Sequence, residues 1–94
     1  MSEFAKVEGR NISDIRIYTL STCGWCKKTK RFFNDNHIAY SYIDVDLLPP
    51  KEAGAVVEEQ MKYNPNGSFP TIVIDSDRCI IGYNEAELKE LIGA

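Results

Sequence analysis

The chain is short of the residues that several function classes require. Three cysteines and one histidine, His37, do not supply the two cysteine pairs of a four-thiolate zinc site, so redox use of the Cys23/Cys26 pair is preferred to metal or structural use. There is no basic excess: 11 Lys and Arg against 14 Asp and Glu leave a net charge of −3, which gives nucleic-acid binding no electrostatic support. No apolar run could span a membrane, and residues 1–14 hold none that resembles a signal peptide, so a cytoplasmic protein is expected. Thiols are kept reduced in that compartment, which makes a CxxC there more plausibly catalytic than structural. Neither a Pro/Ser-rich linker nor an internal repeat divides the 94 residues, and one domain with a modest core is expected. Residues 1–13 are polar and unpatterned, which suggests a flexible extension ahead of a domain over residues 14–94.

What the chain does have is Thr22-Cys23-Gly24-Trp25-Cys26-Lys27-Lys28, two thiols three residues apart where a strand gives way to a helix. Upstream, Ile15 to Leu20 alternate and are rich in β-branched and aromatic residues. Downstream, Cys26, Thr29 and Phe33 recur at helical spacing. With Cys23 as N-cap, its sulfur takes the place of a capping oxygen beside the free amides of the first turn. Making a thiolate abundant at neutral pH takes roughly 2 kcal/mol. A helix N-terminus supplies about 0.3–1 kcal/mol, and a lysine ammonium some ~7 Å away a further ~0.6–2.4 kcal/mol depending on the dielectric. Lys27 and Lys28 are the cations in reach. Cys26 lies a turn further on, inside the helix, and should be the less exposed thiol. Cys23 is therefore the expected attacker of a substrate disulfide and Cys26 the resolver.

The rest reads as scaffold. His37 follows the first helix and is expected to meet its free carbonyls as a cation. Tyr40 to Val45 alternate as a second strand, and Asp44 with Asp46 read as a solvated strand end rather than a cation site. Pro49-Pro50 opens a second helix with an inward stripe of Ala53, Val56, Val57, Gln60 and Met61. Ser68 to Asp75 form a third strand beginning at a proline, joined by a short hairpin to Cys79–Gly82. Cys79, among isoleucines, reads as a small buried hydrophobe. Asn84 with Glu87 three residues on caps a last helix whose Leu88, Leu91 and Ile92 face inward.

The order is βαβαββα with the dithiol at the first strand-to-helix junction, and in this the chain resembles the glutaredoxin family of thioredoxin-fold proteins from about Ile15 to Ile92. Carrying the resemblance are Cys23-Gly24-Trp25-Cys26, Phe69-Pro70-Thr71 and Gly82-Tyr83-Asn84-Glu85. It implies an α/β fold with a four-stranded mixed sheet flanked by helices and a cis bond at Phe69-Pro70. It further implies thiol–disulfide exchange on small-molecule or protein disulfides by a monomer with no tightly bound cofactor, recharged by an external thiol reductant. Cys23 and Cys26 would be catalytic, and Thr22, Gly24, Trp25, Phe69, Pro70 and Asn84 would form the substrate surface, where an extended substrate could pair with the Phe69 backbone. Glutathione-using members carry a lysine three residues before the first active-site cysteine, and Gly-Gly with an acidic pair before the last helix. This chain has Leu20, Ile81-Gly82 and Asn84-Glu85 at those places. Its CGWC and Gly-Tyr end are also similar to glutaredoxin-like electron donors of ribonucleotide reductase, recharged by a thioredoxin reductase, so the reductant is either glutathione or a donor of that type. Two other readings compete. One is an iron-sulfur carrier holding a cluster between two protomers through Cys23 and an external thiol, and the other is an interaction domain without turnover.

Overall fold

The computed structural model describes residues 4–93; residues 1–3 and 94, parts of the expected extension and domain, lie outside the described residues. In chain order the elements are β1 (Ala5–Val7), β2 (Ile15–Thr19), α1 (Gly24–Asp35), β3 (Tyr40–Asp44), a 3₁₀ turn (Val45–Leu47), α2 (Pro50–Met61), β4 (Thr71–Ile74), β5 (Arg78–Ile81) and α3 (Glu85–Ile92). The sheet runs β1-β3-β2-β4-β5. The β2–β3 pair, joined through α1, is parallel, and β1–β3, β2–β4 and β4–β5 are antiparallel.

Strand alternation sorts the apolar residues onto two faces. On one, Ile15, Ile17, Ile72, Ile74 and Ile80 meet Phe33 of α1 and Leu88 of α3, with Leu91 and Ile92 packed alongside. On the other, Tyr18, Ile43 and Val73 meet Val56 of α2, flanked by Ala53 and Val57. Strand β4, paired on both sides, is buried on both faces, hence its unbroken apolar run Ile72-Val73-Ile74. Each helix start follows from its residues. Pro50 needs no amide partner in the first turn of α2, while the side chain of Asn84 accepts from the Glu87 amide at 3.2 Å and closes the start of α3. The order βαβαββα and the cis bond at Phe69-Pro70 are both present.

Three expectations need correction. The sheet has five strands, because Ala5, Lys6 and Val7 of the segment expected to be a flexible extension pair with Tyr42, Ser41 and Tyr40 and cover the open edge of β3. The third strand begins at Thr71 rather than Ser68, since the Ser68 carbonyl is taken by side chains: Gln60 Nε2 donates to it at 2.8 Å and Thr71 Oγ1 at 2.8 Å. Met61, expected to face inward, is exposed at the last position of α2. The carbonyl of Asn36, after α1, accepts from the Arg10 guanidinium at 3.2 Å, and the exposed His37 beside it has a left-handed φ of 56°.

Arg10 fastens the N-terminal segment to the α1–β3 connection: its amide donates to His37 O at 2.7 Å and its carbonyl accepts from Ala39 N at 2.8 Å. Gly9 allows this approach, since a Cβ there would lie 2.6 Å from the Ile38 carbonyl carbon. Gly9→Ala should therefore lift this segment off the edge, seen as faster hydrogen exchange at the Arg10 and Ala39 amides with the β4 amides unchanged. Unaltered protection at Arg10 and Ala39 would contradict the packing described.

Candidate active site

Strand register gathers the chemistry at one end of the sheet. Thr19, the last residue of β2, is opposite Asp44, the last of β3, and Tyr18 beside it is opposite Thr71, the first of β4. Thr71 in turn faces Ile81, and the Gly82 amide donates to the Pro70 carbonyl at 2.9 Å. The segments around Cys23, Asp46, Phe69-Pro70 and Gly82–Asn84 thus leave the same edge of the fold.

Within the first of these segments the chain turns through Leu20–Cys23, the Cys23 amide donating to Leu20 O at 3.2 Å, and enters α1 with Cys23 as N-cap. The Cys23 sulfur accepts from the Cys26 amide at 3.3 Å, as a capping oxygen would. No acidic side chain occupies the first turn, so the free amides and the positive end of the helix face this sulfur alone. Cys23 is partly exposed and Cys26 fully buried. Burial first, then the hydrogen bond to Cys23, pushes the Cys26 thiol up to about 12, against smaller opposing effects of the Leu20 amide and Lys30. At neutral pH Cys26 therefore keeps its proton behind its neighbour.

Of the residues expected to form the substrate surface, Thr22, Gly24 and Asn84 are exposed, Phe69 is partly buried and Pro70 buried. Phe69 packs against the second apolar cluster together with Leu20. Trp25 is 59% exposed and stacks on Tyr83, the ring centroids 6.0 Å apart at 20°. Lys28, one of the two cations expected in reach of Cys23, lies over these rings, 5.3 Å from the Trp25 centroid and 5.0 Å from that of Tyr83. A groove of about 450 Å³ starts at Gly24 and runs between α1 and α3 past Lys27, Arg31 and Tyr83. Cys79 sits away in the second cluster, partly buried, its thiol donating to the Tyr63 carbonyl at 3.2 Å.

Two acidic residues read from sequence as solvated strand end have defined partners. Asp46 accepts from the Ser21 amide at 2.8 Å and from its hydroxyl, which pins the turn ahead of Cys23. The two bonds from Ser21, hydroxyl first, hold the Asp46 carboxyl below its ordinary value. Asp44 pairs with Lys30 Nζ at 3.2 Å and lies 2.6 Å from Thr19 Oγ1. Sequence signals for both existed only as the DxD spacing; the partners lie 14–25 residues away in the chain. Among the described residues, no group of three His, Cys, Asp or Glu side chains is placed to hold a metal ion.

A mixed sheet flanked by helices with a dithiol at the N-terminus of the first helix defines a thioredoxin-like fold. The family model described as Glutaredoxin matches residues 15–79, and the chain belongs to that family, whose members are generally thiol–disulfide oxidoreductases. The chain is 35% identical over 78 residues to an uncharacterised glutaredoxin-like 8.6 kDa protein of the rubredoxin operon of Clostridium pasteurianum, which covers 83% of this chain and 96% of that one. Glutaredoxin of Methanosarcina mazei Go1 is similar in structure with a TM-score of 0.87 at 39% identity, covering 99% of this chain and 90% of its own. Methanoredoxin of Methanosarcina acetivorans has a TM-score of 0.87 at 36% identity, over 92% of this chain and 90% of that one.

Two measurements test this geometry. At pH 8 iodoacetamide should alkylate Cys23 and leave Cys26 protonated and intact by peptide mapping; equal labelling of both would contradict the buried setting of Cys26. A carboxylate whose pKa is depressed contributes its bonds above the ordinary range and loses them as pH falls through its lowered value. The Ser21 amide chemical shift should accordingly titrate with a midpoint below 3.8, the ordinary value for Asp46, and a midpoint at or above it would remove the tether.

Proposed function

We propose that the chain reduces disulfides by dithiol exchange, Cys23 attacking and Cys26 resolving. The observation that carries this reading is the sulfur of Cys23 at the N-cap of α1, partly open to solvent, with the buried Cys26 thiol one turn behind it. In the first step the Cys23 thiolate bonds to one sulfur of the substrate and the other leaves as a thiolate. In the second, Cys26 gives up its proton and attacks Cys23, expelling the remaining substrate thiol and leaving the Cys23–Cys26 disulfide. Two electrons pass from protein to substrate, and an external thiol or a reductase returns them.

Trp25 and Phe69 present apolar surface for the carbon next to a substrate disulfide, while Thr22, Gly24, Pro70 and Asn84 border it. Small-molecule and protein disulfides both fit a surface that is open rather than enclosed. For the electron source, Leu20 stands where glutathione-using relatives carry lysine, which favours a donor of the thioredoxin-reductase type over glutathione.

Cys26→Ser should accumulate a mixed disulfide on Cys23 when turned over with a disulfide substrate, whereas Cys23→Ser should not; the reverse would exchange the two roles. Turnover with NADPH and thioredoxin reductase should exceed that with glutathione and glutathione reductase, and the opposite order would assign glutathione. A brown anaerobic preparation with visible absorbance and no reductase turnover would instead support the cluster carrier.

A further inference from the structure

Dithiol exchange leaves one step unexplained by the helix cap. Cys23 is served by the first-turn amides, but Cys26 must become a thiolate within a fully buried position during the second half-reaction. Near it stands an ion pair that the mechanism so far does not use. Lys30 is four residues beyond Cys26 on α1, so the two side chains lie one above the other on the same helix face. The Lys30 ammonium is held from the opposite side by β3: Asp44 Oδ1 lies 3.2 Å away and the Tyr42 ring centroid 3.9 Å. Their side chains are 20% and 16% exposed, so the pair is screened far less than an ordinary surface one.

We infer that Lys30, clamped by Asp44 and Tyr42, is the positioning residue of the resolving step, its ammonium stabilising the Cys26 thiolate while that sulfur attacks the mixed disulfide on Cys23. The inference rests on the dithiol reading above. In the step, Cys26 loses its proton to solvent and its sulfur forms the bond to Cys23. The Cys23–substrate bond breaks, and the substrate sulfur leaves with the bonding pair and is reprotonated. No further oxidant or reductant is required.

The surroundings of Cys26 favour this assignment. Burial and Cys23 disfavour the Cys26 thiolate, while the Leu20 amide, from the turn after β2, and to a smaller extent Lys30, one turn along α1, favour it. Asp44 faces Lys30 from β3 and pairs with its ammonium at 3.2 Å in a partly buried place. Thr19, wholly buried, directs its hydroxyl between the Asp44 carboxylate at 2.6 Å and the Ile43 carbonyl at 2.9 Å, which fixes the carboxylate and through it the ammonium. Before resolution the Lys30–Asp44 pair is neutral overall. The thiolate of Cys26 is a second anion on the other side of the same cation.

Stopped-flow reaction of the reduced protein with 4,4′-dithiodipyridine separates the half-reactions, because capture by Cys23 and resolution by Cys26 each release one thiopyridone. The probe is neutral, so loss of a lysine does not alter its attraction to the site. Lys30→Met should leave the first phase unchanged and slow the second roughly five- to tenfold at pH 7, with the deficit closing as pH rises. Lys30→Arg should restore most of the second phase. Lys30→Met/Asp44→Asn, which leaves no unpaired buried charge, should match Lys30→Met, and a normal first phase reports that each variant is folded. A second phase at the wild-type rate and pH dependence in both methionine variants, or equal slowing of both phases, overturns the inference. Failure of the dithiol reading itself looks different: wild type would then release one thiopyridone per Cys23 with no second phase.

Discussion

The amide of Cys26 points at the sulfur of Cys23, and this single contact couples the two properties that thiol exchange needs. A helix cap lies outside the helix and its third following residue lies inside, on the same side of the axis. Placing sulfur at both positions puts one atom at the open end of the amides and the other against the sheet. Cys23 is thereby partly exposed and Cys26 is not. The asymmetry arises from helix geometry, while the sheet supplies the wall that makes the second position a buried one.

Everything else in the fold can be read as holding that turn in place. Parallel pairing of β2 with β3 brings Asp44 level with Thr19, and the chain continuing from Asp44 delivers Asp46 to the Ser21 amide. Antiparallel pairing of β2 with β4 delivers Phe69-Pro70 to the same end. The approach to β4 is secured by a buried polar cluster, in which the amide groups of Gln60 and Asn64 both donate to Thr71 Oγ1, each at 3.0 Å, and the Ser68 carbonyl is satisfied without a strand partner. Such groups are costly to bury unless bonded, which is why so much of the α2 C-terminus is committed to one loop. On the far side, Tyr83 leaves β5 and stacks against Trp25, linking the start of α3 to that of α1.

Local chemistry was legible in the sequence and distant chemistry was not. The capping role of Cys23, the burial of Cys26, Thr29 and Phe33, the Asn84 cap and the hairpin before Cys79 all depend on neighbours within a turn or two. Strand β1 has three residues with no alternation to read, and it exists because β3 has a free edge. Met61 fits a helical stripe but falls at the helix end, beyond the sheet it would cover. Asp44 and Asp46 looked like solvated charge because their partners are set by strand register, which composition does not encode. The aromatic contacts of Lys28 were equally hidden, since Tyr83, one of the two rings it lies over, is remote in the chain.

Exchange by this pair requires the sulfurs of Cys23 and Cys26 to join to each other in preference to any third thiol. Equilibration with graded ratios of reduced and oxidised dithiothreitol, followed by Trp25 fluorescence and by disulfide mapping, measures this directly. One two-electron transition is predicted, ending in a Cys23–Cys26 bond with Cys79 still a free thiol. A bridge to Cys79, or no transition at potentials where glutaredoxin-type dithiols oxidise, would contradict it.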